Sequence, residues 1–322
     1  MSFFWGTSEP AEPVAVEPFD PRSEMPTNGR LGHLTPEQTA ALAQFKQELA
    51  AEGYYDPEKH DDYILLRFLR ARKFDLPASK KMWIDFQEWR KKWNVDNTVT
   101  DFDFPEWAIV QQYYPRFYHG VDKCGRPIYV EQIGLLDIQK LFTITTQERM
   151  MLNHVHEYER LILYRLPASS IKTGVHLEQS FTIMDLKNIS LSQFYNAFHL
   201  VREASTIAQN YYPEMLGKMV VINAPMLFTS LWLMVKPLLD EVTVKKISIF
   251  GGPSSYLPEL LKYIDEDQLP AFMGGKCNCP EGCEHSDKGP WSDGSVPGYP
   301  DPKFERLRDT YGIIPKKAPA TN

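Results

Sequence analysis

The chain is poor in cysteine, poor in positive charge relative to negative, and without long apolar runs. Four cysteines in 322 residues are too few for a disulfide scaffold. Thirty-five basic against 42 acidic residues leave a net charge of −7, the opposite of the basic footprint that nucleic-acid binding requires, so no nucleic-acid partner is expected. No apolar run approaches the about 20 residues of a membrane span; the richest, around Leu231–Val235, is roughly half that. The N-terminus carries Phe3, Phe4 and Trp5 but then turns acidic and proline-rich, with neither the basic nor the apolar region of a secretory signal, so the cytosol is the expected compartment. No nucleophile elbow, phosphate loop or dinucleotide fingerprint occurs, which makes a catalytic α/β enzyme the poorest reading. What is present is ordinary globular material: 43% hydrophobic, 13% aromatic and 24% charged residues, enough chain for one large domain or two.

The pattern changes along the chain. Residues 1–34 are acidic, proline-rich and aperiodic, and read as a disordered tail. Thr35-Pro36-Glu37-Gln38 is a helix start, with Thr as N-cap and Gln three residues on. Leu42, Phe45 and Leu49 follow at helical spacing. Further helices are predicted over about 61–72 and from about Pro77, so residues 35–100 read as a small self-contained helical domain. From Tyr113 the period shortens. Strands are predicted over Tyr113–Tyr118 and Pro127–Ile133 around a turn at Asp122-Lys123-Cys124-Gly125. Thr145 and Glu148 cap a helix predicted to reach about Arg165. Strands at Ser180–Asp185, Met219–Asn223 and Val244–Phe250 then alternate with helices at about 192–210, 226–239 and 258–263. This alternation predicts an α/β fold with parallel pairs over residues 101–275. Residues 276–322 are rich in Pro, Gly and Asp and read as a surface extension.

Two segments depart from routine core chemistry. Leu227 to Val235 has almost no polar face, yet is too short to span a bilayer. A buried core helix is the plain reading. A lid with one face on a cavity and the other toward lipid also fits, because charges at Lys236, Asp240 and Glu241 return the chain to water at once. On the strand Ser180–Asp185, the side-chain period of two puts Ser180, Thr182 and Met184 on one face. Two hydroxyls and a thioether suit a cavity wall better than a dry core. The cluster Arg67, Arg70, Arg72 and Lys73 is either a solvated helix face or a phosphate-binding edge.

Metal chemistry is discounted. Cys277, Cys279, Cys283 and His285 lack the paired spacing of strong zinc sites and read as free thiols on an ordered loop. His154 and His156, two apart on a predicted helix, do not share a face.

A combination of motifs nevertheless resembles a known family. These are Leu65-Leu66-Arg67-Phe68-Leu69-Arg70-Ala71-Arg72-Lys73-Phe74-Asp75, Gly125-Arg126-Pro127, Thr182-Ile183-Met184-Asp185-Leu186, Arg202-Glu203-Ala204-Ser205, Gln209-Asn210-Tyr211-Tyr212-Pro213-Glu214 and Ile222-Asn223-Ala224-Pro225. In this order, over about residues 35–275, they resemble the CRAL-TRIO lipid-binding family, in particular its phosphatidylinositol/phosphatidylcholine transfer branch. The resemblance implies a helical N-terminal tripod, then a mixed sheet with flanking helices, an apolar pocket and a gate helix. It implies an inositol-phosphate site at Arg72, Lys73, Glu214, Thr243 and Lys246, and a choline-phosphate site at Tyr118, Tyr129, Tyr158, Ser180, Thr182 and Met184. It places the gate and its membrane contact at Leu227, Phe228, Leu231, Trp232, Met234 and Val235. Met215 stands where the family commonly has Arg. The implied activity is exchange of the two phospholipids between membranes, in support of phosphoinositide signalling and vesicle trafficking. The expected protein is a non-enzymatic cytoplasmic monomer, peripherally associated with Golgi and endosomal membranes, with bound phospholipid as its ligand and no cofactor or metal. The alternative is a binding module of the same fold for a sterol or a tocopherol-like molecule.

Overall fold

A computed structural model of the chain describes residues 19–226 and 228–301. Its first layer is helical. Thr35 accepts a hydrogen bond from Gln38 N (3.2 Å), and the Gln38 side chain accepts from Thr35 N (3.1 Å). This reciprocal cap starts α1, Pro36–Ala51. Asp61 caps α2, Asp62–Ala71, and Asp75 caps α3, Leu76–Trp93, each carboxylate accepting from the N–H three residues on at 2.9 Å. The three helices enclose Trp83, whose ring meets Phe68 edge-on at 4.9 Å and whose Nε1 donates to Tyr54 O at 2.8 Å.

This unit is not self-contained, contrary to its appearance in sequence. Its core continues without a break into the second half of the chain. Trp89 stacks on Tyr211 at 4.0 Å, and Arg90 grips Glu159 with two bonds of 2.9 and 3.1 Å. Two short helices, α4 (Thr98–Asp101) and α5 (Trp107–Tyr113), bridge to the sheet. The strand expected from Tyr113 begins instead at Arg116. Trp107 and Val110 find a buried face that holds residues 107–113 helical, and Pro115 forces Tyr114 out of the helical region, to φ −155°.

The sheet has five strands in sequence order: β1 Arg116–Val121, β2 Pro127–Glu131, β3 Ser180–Asp185, β4 Leu216–Ile222 and β5 Ile247–Ile249. The first pair is antiparallel and the others are parallel. Asp122 closes the β1–β2 turn, accepting from Cys124 N, Arg126 N and Arg126 Nε at 2.7–2.9 Å. Gly125, at φ +84°, supplies the left-handed residue there, and a Cβ on it would lie 2.2 Å from Thr173.

Between β2 and β3 run α6 (Ile138–Ile144), α7 (Gln147–Arg160), a π-turn (Leu161–Arg165) and α8 (Leu166–Thr173). The cap of α7 is Thr146, not Thr145, whose hydroxyl is taken by Glu106 at 2.9 Å. The helix also widens before Arg165, just ahead of Pro167, which has no N–H to continue a regular ladder. Next, α9 (Leu191–Tyr211) connects β3 to β4. Then α10 (Phe228–Val235) and α11 (Glu241–Lys245) lead to β5. Residues 244–245, expected in a strand, close α11, because Asp240 caps that turn by accepting from Thr243 N (2.9 Å) and Oγ1 (2.5 Å). Finally α12, Pro253–Tyr263, packs beneath the sheet.

The termini are tied down within the described range. Of the expected N-terminal tail, residues 1–18 lie outside the description, but Glu24 accepts from the Tyr263 hydroxyl at 2.9 Å and Arg30 pairs with Glu178. Arg70 reaches the same Glu178 carboxylate at 2.6 Å. The extension after 275 wraps back over the protein: Gly120 N donates to Lys288 O at 2.7 Å, and Trp291 is fully buried. Residues 302–322 lie outside the description.

Glu178 thus holds two arginines in a buried ion pair. Removing one partner of such a group leaves uncompensated charge, at a cost of about 3–5 kcal/mol. Glu178→Ala is therefore expected to lower the urea midpoint markedly and to open residues 22–34 to trypsin, which limited proteolysis followed by mass spectrometry checks.

Candidate functional site

The two faces of the sheet differ in chemistry. Phe117, Ile128, Val130, Phe181, Ile183, Val220 and Ile222 form a dry layer against Tyr256, Leu260 and Tyr263 of α12. The other face floors a cavity of about 520 Å³. Register explains what stands there. Tyr118 pairs with Tyr129, Tyr129 with Thr182, Thr182 with Met219, and Met219 with Ile247, forming one row across all five strands. The neighbouring row is Arg116, Glu131, Met184, Val221 and Ile249. A bulge between Ser180 and Phe181 pairings absorbs Gly217 and keeps Leu216 and Met219 on the cavity side. A Cβ at Gly217 would meet Arg126 Nη1 at 2.6 Å.

All eleven residues expected to hold headgroups line this one cavity: Arg72, Lys73, Glu214, Thr243 and Lys246, and Tyr118, Tyr129, Tyr158, Ser180, Thr182 and Met184. The Arg/Lys cluster that sequence alone could not divide is split by the fold. Arg67 is buried and donates to Pro213 O at 3.0 Å, and Arg70 is committed to Glu178 and Gly29 O. Arg72 and Lys73 follow the end of α2. Lys73 and Glu214 both stand at positive φ, 53° and 61°, a strained placement for residues with side chains. Lys246 Nζ lies 3.6 Å from Glu214 Oε2. Burial pulls the Lys246 ammonium below its ordinary value, and Glu214 opposes the shift.

The tyrosines carry a second kind of chemistry. Tyr118 and Tyr129 meet with ring centroids 5.0 Å apart, and Tyr158 stacks on Tyr212 at 4.3 Å. Burial pushes the Tyr158 phenol up to about 12 and the Tyr118 and Tyr129 phenols upward as well, so all three remain neutral donors. One face of Tyr118 is already covered by the Arg165 guanidinium, 4.0 Å from the ring centroid. Ser180 and Thr182 are buried, and neither hydroxyl has a protein hydrogen-bond partner among the described residues. Their polarity is available to a ligand rather than spent on nearby backbone.

Several wall residues went unread in the sequence. On α9, Ala197, Val201, Ala204, Ser205 and Ala208 line the cavity at helical spacing, a narrow face that spans the sheet without filling the space above it. Glu131, half-buried, accepts from the Tyr114 hydroxyl, and burial raises its carboxyl despite that bond and nearby Arg116. Burial also acts to raise Glu157, but Arg160 and Arg165 outweigh it and hold the carboxyl at about 2. His154 faces the cavity while His156 turns away to Thr98 O at 3.1 Å, so the pair does not converge. Met215 is buried in the cavity wall, an apolar contact where a cation could have stood.

The expected gate is differently disposed. Leu227 lies outside the described residues. Phe228, Leu231, Trp232, Met234 and Val235 are on α10, but none lines the cavity. Leu231 is 1% exposed and anchors the helix inward, whereas Leu233 is 67% exposed. The cavity is covered instead by Leu239, Asp240, Glu241 and Val242 just beyond α10. Gln209 of α9 clasps that stretch: its Nε2 donates to Leu238 O, and its Oε1 accepts from Asp240 N at 3.1 Å.

With this geometry in place, comparison with known proteins is direct. The sequence profile of the CRAL/TRIO domain matches residues 111–275, and that of the CRAL/TRIO N-terminal domain matches residues 41–85. The chain is 51% identical over 263 residues to the Sec14 cytosolic factor of Schizosaccharomyces pombe, covering 82% of this chain and 91% of that one. It is 48% identical over 267 residues to the SEC14 cytosolic factor of Kluyveromyces lactis, with coverage of 82% and 87%. Against the phosphatidylinositol/phosphatidylcholine transfer protein SFH12 of Arabidopsis thaliana it is 43% identical over 264 residues, 81% of this chain and 48% of that one. The crystal structure of Sfh5 shares the fold, with a TM-score of 0.57 at 18% identity over 80% of this chain and 88% of that one. A helical tripod fused to a five-stranded sheet, a cavity on one sheet face and these matches together identify the chain as a member of the CRAL-TRIO family.

Proposed function

We propose that the protein carries phosphatidylinositol and phosphatidylcholine between membranes, one lipid at a time, in the cavity above the sheet. The observation that carries this reading is the gathering of two polar sets, one cationic and one aromatic with free hydroxyls, in a single cavity. Similarity to Sec14 cytosolic factors and to a phosphatidylinositol/phosphatidylcholine transfer protein supports it. The cations Arg72, Lys73 and Lys246 suit an inositol phosphate. Tyr129 and Tyr158, with the remaining face of Tyr118, suit a quaternary ammonium, while Ser180 and Thr182 can donate to its phosphate. No helix among the described residues is long and apolar enough to cross a membrane. The protein works as a cytoplasmic monomer that touches Golgi and endosomal membranes transiently, without cofactor or catalysis, in support of phosphoinositide signalling and vesicle trafficking.

The physical task is desolvation. At about 0.8 kcal/mol per methylene, roughly 30 methylenes in two acyl chains amount to about 25 kcal/mol, which forbids passage through water. The α9 face and the apolar floor provide a substitute environment. Entry requires the α10–α11 segment to move, and its exposed Leu233 with neighbouring Trp232 and Phe228 can do so against lipid rather than water. The open form is then favoured by its greater membrane affinity.

Trp232→Asp combined with Leu233→Asp is expected to cut vesicle-to-vesicle transfer of both lipids by at least about tenfold, since each buried apolar side chain contributes about 1.5–3 kcal/mol at the bilayer. Circular dichroism should show an intact fold; normal transfer by the folded variant would rule out α10 as the docking element.

Headgroup selectivity separates the two polar sets. Lys73→Ala with Lys246→Ala should lower phosphatidylinositol transfer about tenfold or more while sparing phosphatidylcholine, because charge-assisted bonds of about 1.5–3 kcal/mol are lost from one site alone. Thr182→Val should do the reverse. Equal loss of both lipids in both variants would refute the division. Mass spectrometry of lipid extracted from the purified protein tests the reading as a whole: sterol in place of phospholipid would favour a binding module for another hydrophobic ligand.

A further inference from the structure

On the far side of the sheet from the cavity, the C-terminal extension brings Cys277, Cys279 and Cys283 to His119 of β1, and the four ligand atoms lie within 4.8 Å of one another. We propose that these residues form a structural zinc site of the Cys3His type, which fastens the extension to the outer strand of the sheet. Cysteine spacing with His285 as the fourth member makes no strong zinc site. The fold replaces His285 with a histidine more than a hundred residues away, which spacing could not reveal.

The geometry is that of a tetrahedral thiolate site. With zinc–sulfur bonds of about 2.3 Å, two sulfurs on one tetrahedron stand about 3.8 Å apart. Cys277 Sγ and Cys279 Sγ are 3.8 Å apart, far beyond the about 2.05 Å of a disulfide. His119 is fully buried. Its Nδ1 is 2.9 Å from Ser286 Oγ, which donates its own proton to Cys283 O at 3.0 Å. Nδ1–H is therefore the donor in that contact, and Nε2 keeps its lone pair. Nε2 is buried and has no hydrogen-bond partner, an orphan that a metal would satisfy.

The surroundings are preorganised on rigid elements. Cys277 is zipped to the preceding segment: its N–H donates to Leu269 O (3.0 Å), and its carbonyl accepts from Ala271 N (2.8 Å). Gly282, at φ +90°, turns the chain so that Cys283 folds back, with Gly282 N donating to Cys279 O at 3.0 Å. Three thiolates on a divalent ion leave one net negative charge, and Lys288 Nζ stands 3.4 Å from Cys277 Sγ, placed to offset it. Three soft thiolates and one imidazole select zinc over calcium or magnesium. Binding releases the three thiol protons to solvent and changes no oxidation state.

The consequence reaches toward the cavity. From the same extension, Asp287 accepts from Arg165 Nη2 at 3.2 Å, and Trp291 O accepts from the Tyr164 hydroxyl at 2.5 Å. Arg165 in turn covers Tyr118. A fastened extension thus braces one wall of the ligand site from outside.

The full chain, purified through an affinity tag that binds no metal, is expected to contain about one zinc per molecule by elemental mass spectrometry. Cobalt(II) in its place should show thiolate-to-cobalt charge transfer with tetrahedral d–d bands. Cys277, Cys279 and Cys283 should resist alkylation until a chelator is added. These readouts are independent of lipid transfer and need no variant to fold. A folded chain with zinc no higher than that of a Cys277→Ser/Cys279→Ser/Cys283→Ser variant would overturn the proposal. So would a Cys277–Cys279 disulfide in the intact mass, or equal alkylation of the three thiols with and without chelator.

Discussion

The structure depends on the alternation of a β-strand applied to a sheet whose two faces have been given different work. A sheet covered on both sides by helices ordinarily carries apolar residues on both. Here Phe117, Ile128, Phe181, Ile183 and Val220 obey that rule on the α12 side only. Their neighbours Tyr118, Tyr129, Thr182 and Glu131 point the other way, into space that α9 crosses without filling. A slip of one residue in β3 would exchange Ser180 and Thr182 for Phe181 and Ile183 and abolish both layers at once. The bulge at Gly217 and the Asp122–Arg126 turn are therefore register devices as much as connections.

How much of this was legible in sequence depended on the range of the interaction that decides each feature. Local chemistry was readable: the Thr35–Gln38 cap, the extent of β3 and its split between hydroxyl and apolar faces all follow from neighbours within a few residues. Features set by distant partners were not. Thr145 and Thr146 are equally good caps until Glu106 claims the former. Tyr113 is a good strand former until Trp107 and Val110 find a core and Pro115 sets the boundary. Val244 yields to the Asp240 cap. In the site, the eleven family-derived positions do meet in one cavity, yet Arg67 and Arg70 could be separated from Arg72 and Lys73 only once Glu178 and Pro213 were placed. The inward turn of Leu231 and the outward turn of Leu233 likewise depend on where α9 lies, since an all-apolar helix does not announce which side faces the core.

The cover of the cavity shows how a small polar contact can control a large apolar one. Most of α10 is apolar, and burying it in lipid is favourable in any orientation; hydrophobic surface alone would leave the closed state poorly specified. Gln209 supplies the specification. Its amide offers one donor and one acceptor to Leu238 O and Asp240 N, and the observed geometry satisfies both. In water each such bond contributes about 0.5–1.5 kcal/mol net, so in the proposed opening the clasp would be weak enough to yield to membrane contact and directional enough to define where the segment returns. Asp240 adds a second constraint, because the same residue whose N–H is held by Gln209 caps α11 through its side chain. In the proposed opening, motion of the cover would take the start of α11, and with it Thr243, away from the cationic group.

That coupling bears on how one cavity can discriminate between two lipids. Lys246 and Glu214 form a part-buried pair at 3.6 Å, and burial already disfavours the Lys246 charge. An anionic headgroup brings a second negative partner and strengthens the charged form, whereas a zwitterionic lipid placed among Tyr129, Tyr158 and Thr182 leaves the pair as it is. On the proposed division of the site, the cost of keeping a partly desolvated cation would be met only by one ligand class, while the neutral phenols and free hydroxyls on the floor would serve the other without any change in charge. Selectivity then requires no rearrangement of the sheet. On the same reading it would follow from placing the ionised groups on segments around the edge, after α2, before β4 and at α11, and the neutral polar groups on the rigid strands and on α7, so that the acyl chains could share one apolar path beneath α9 whichever headgroup is bound.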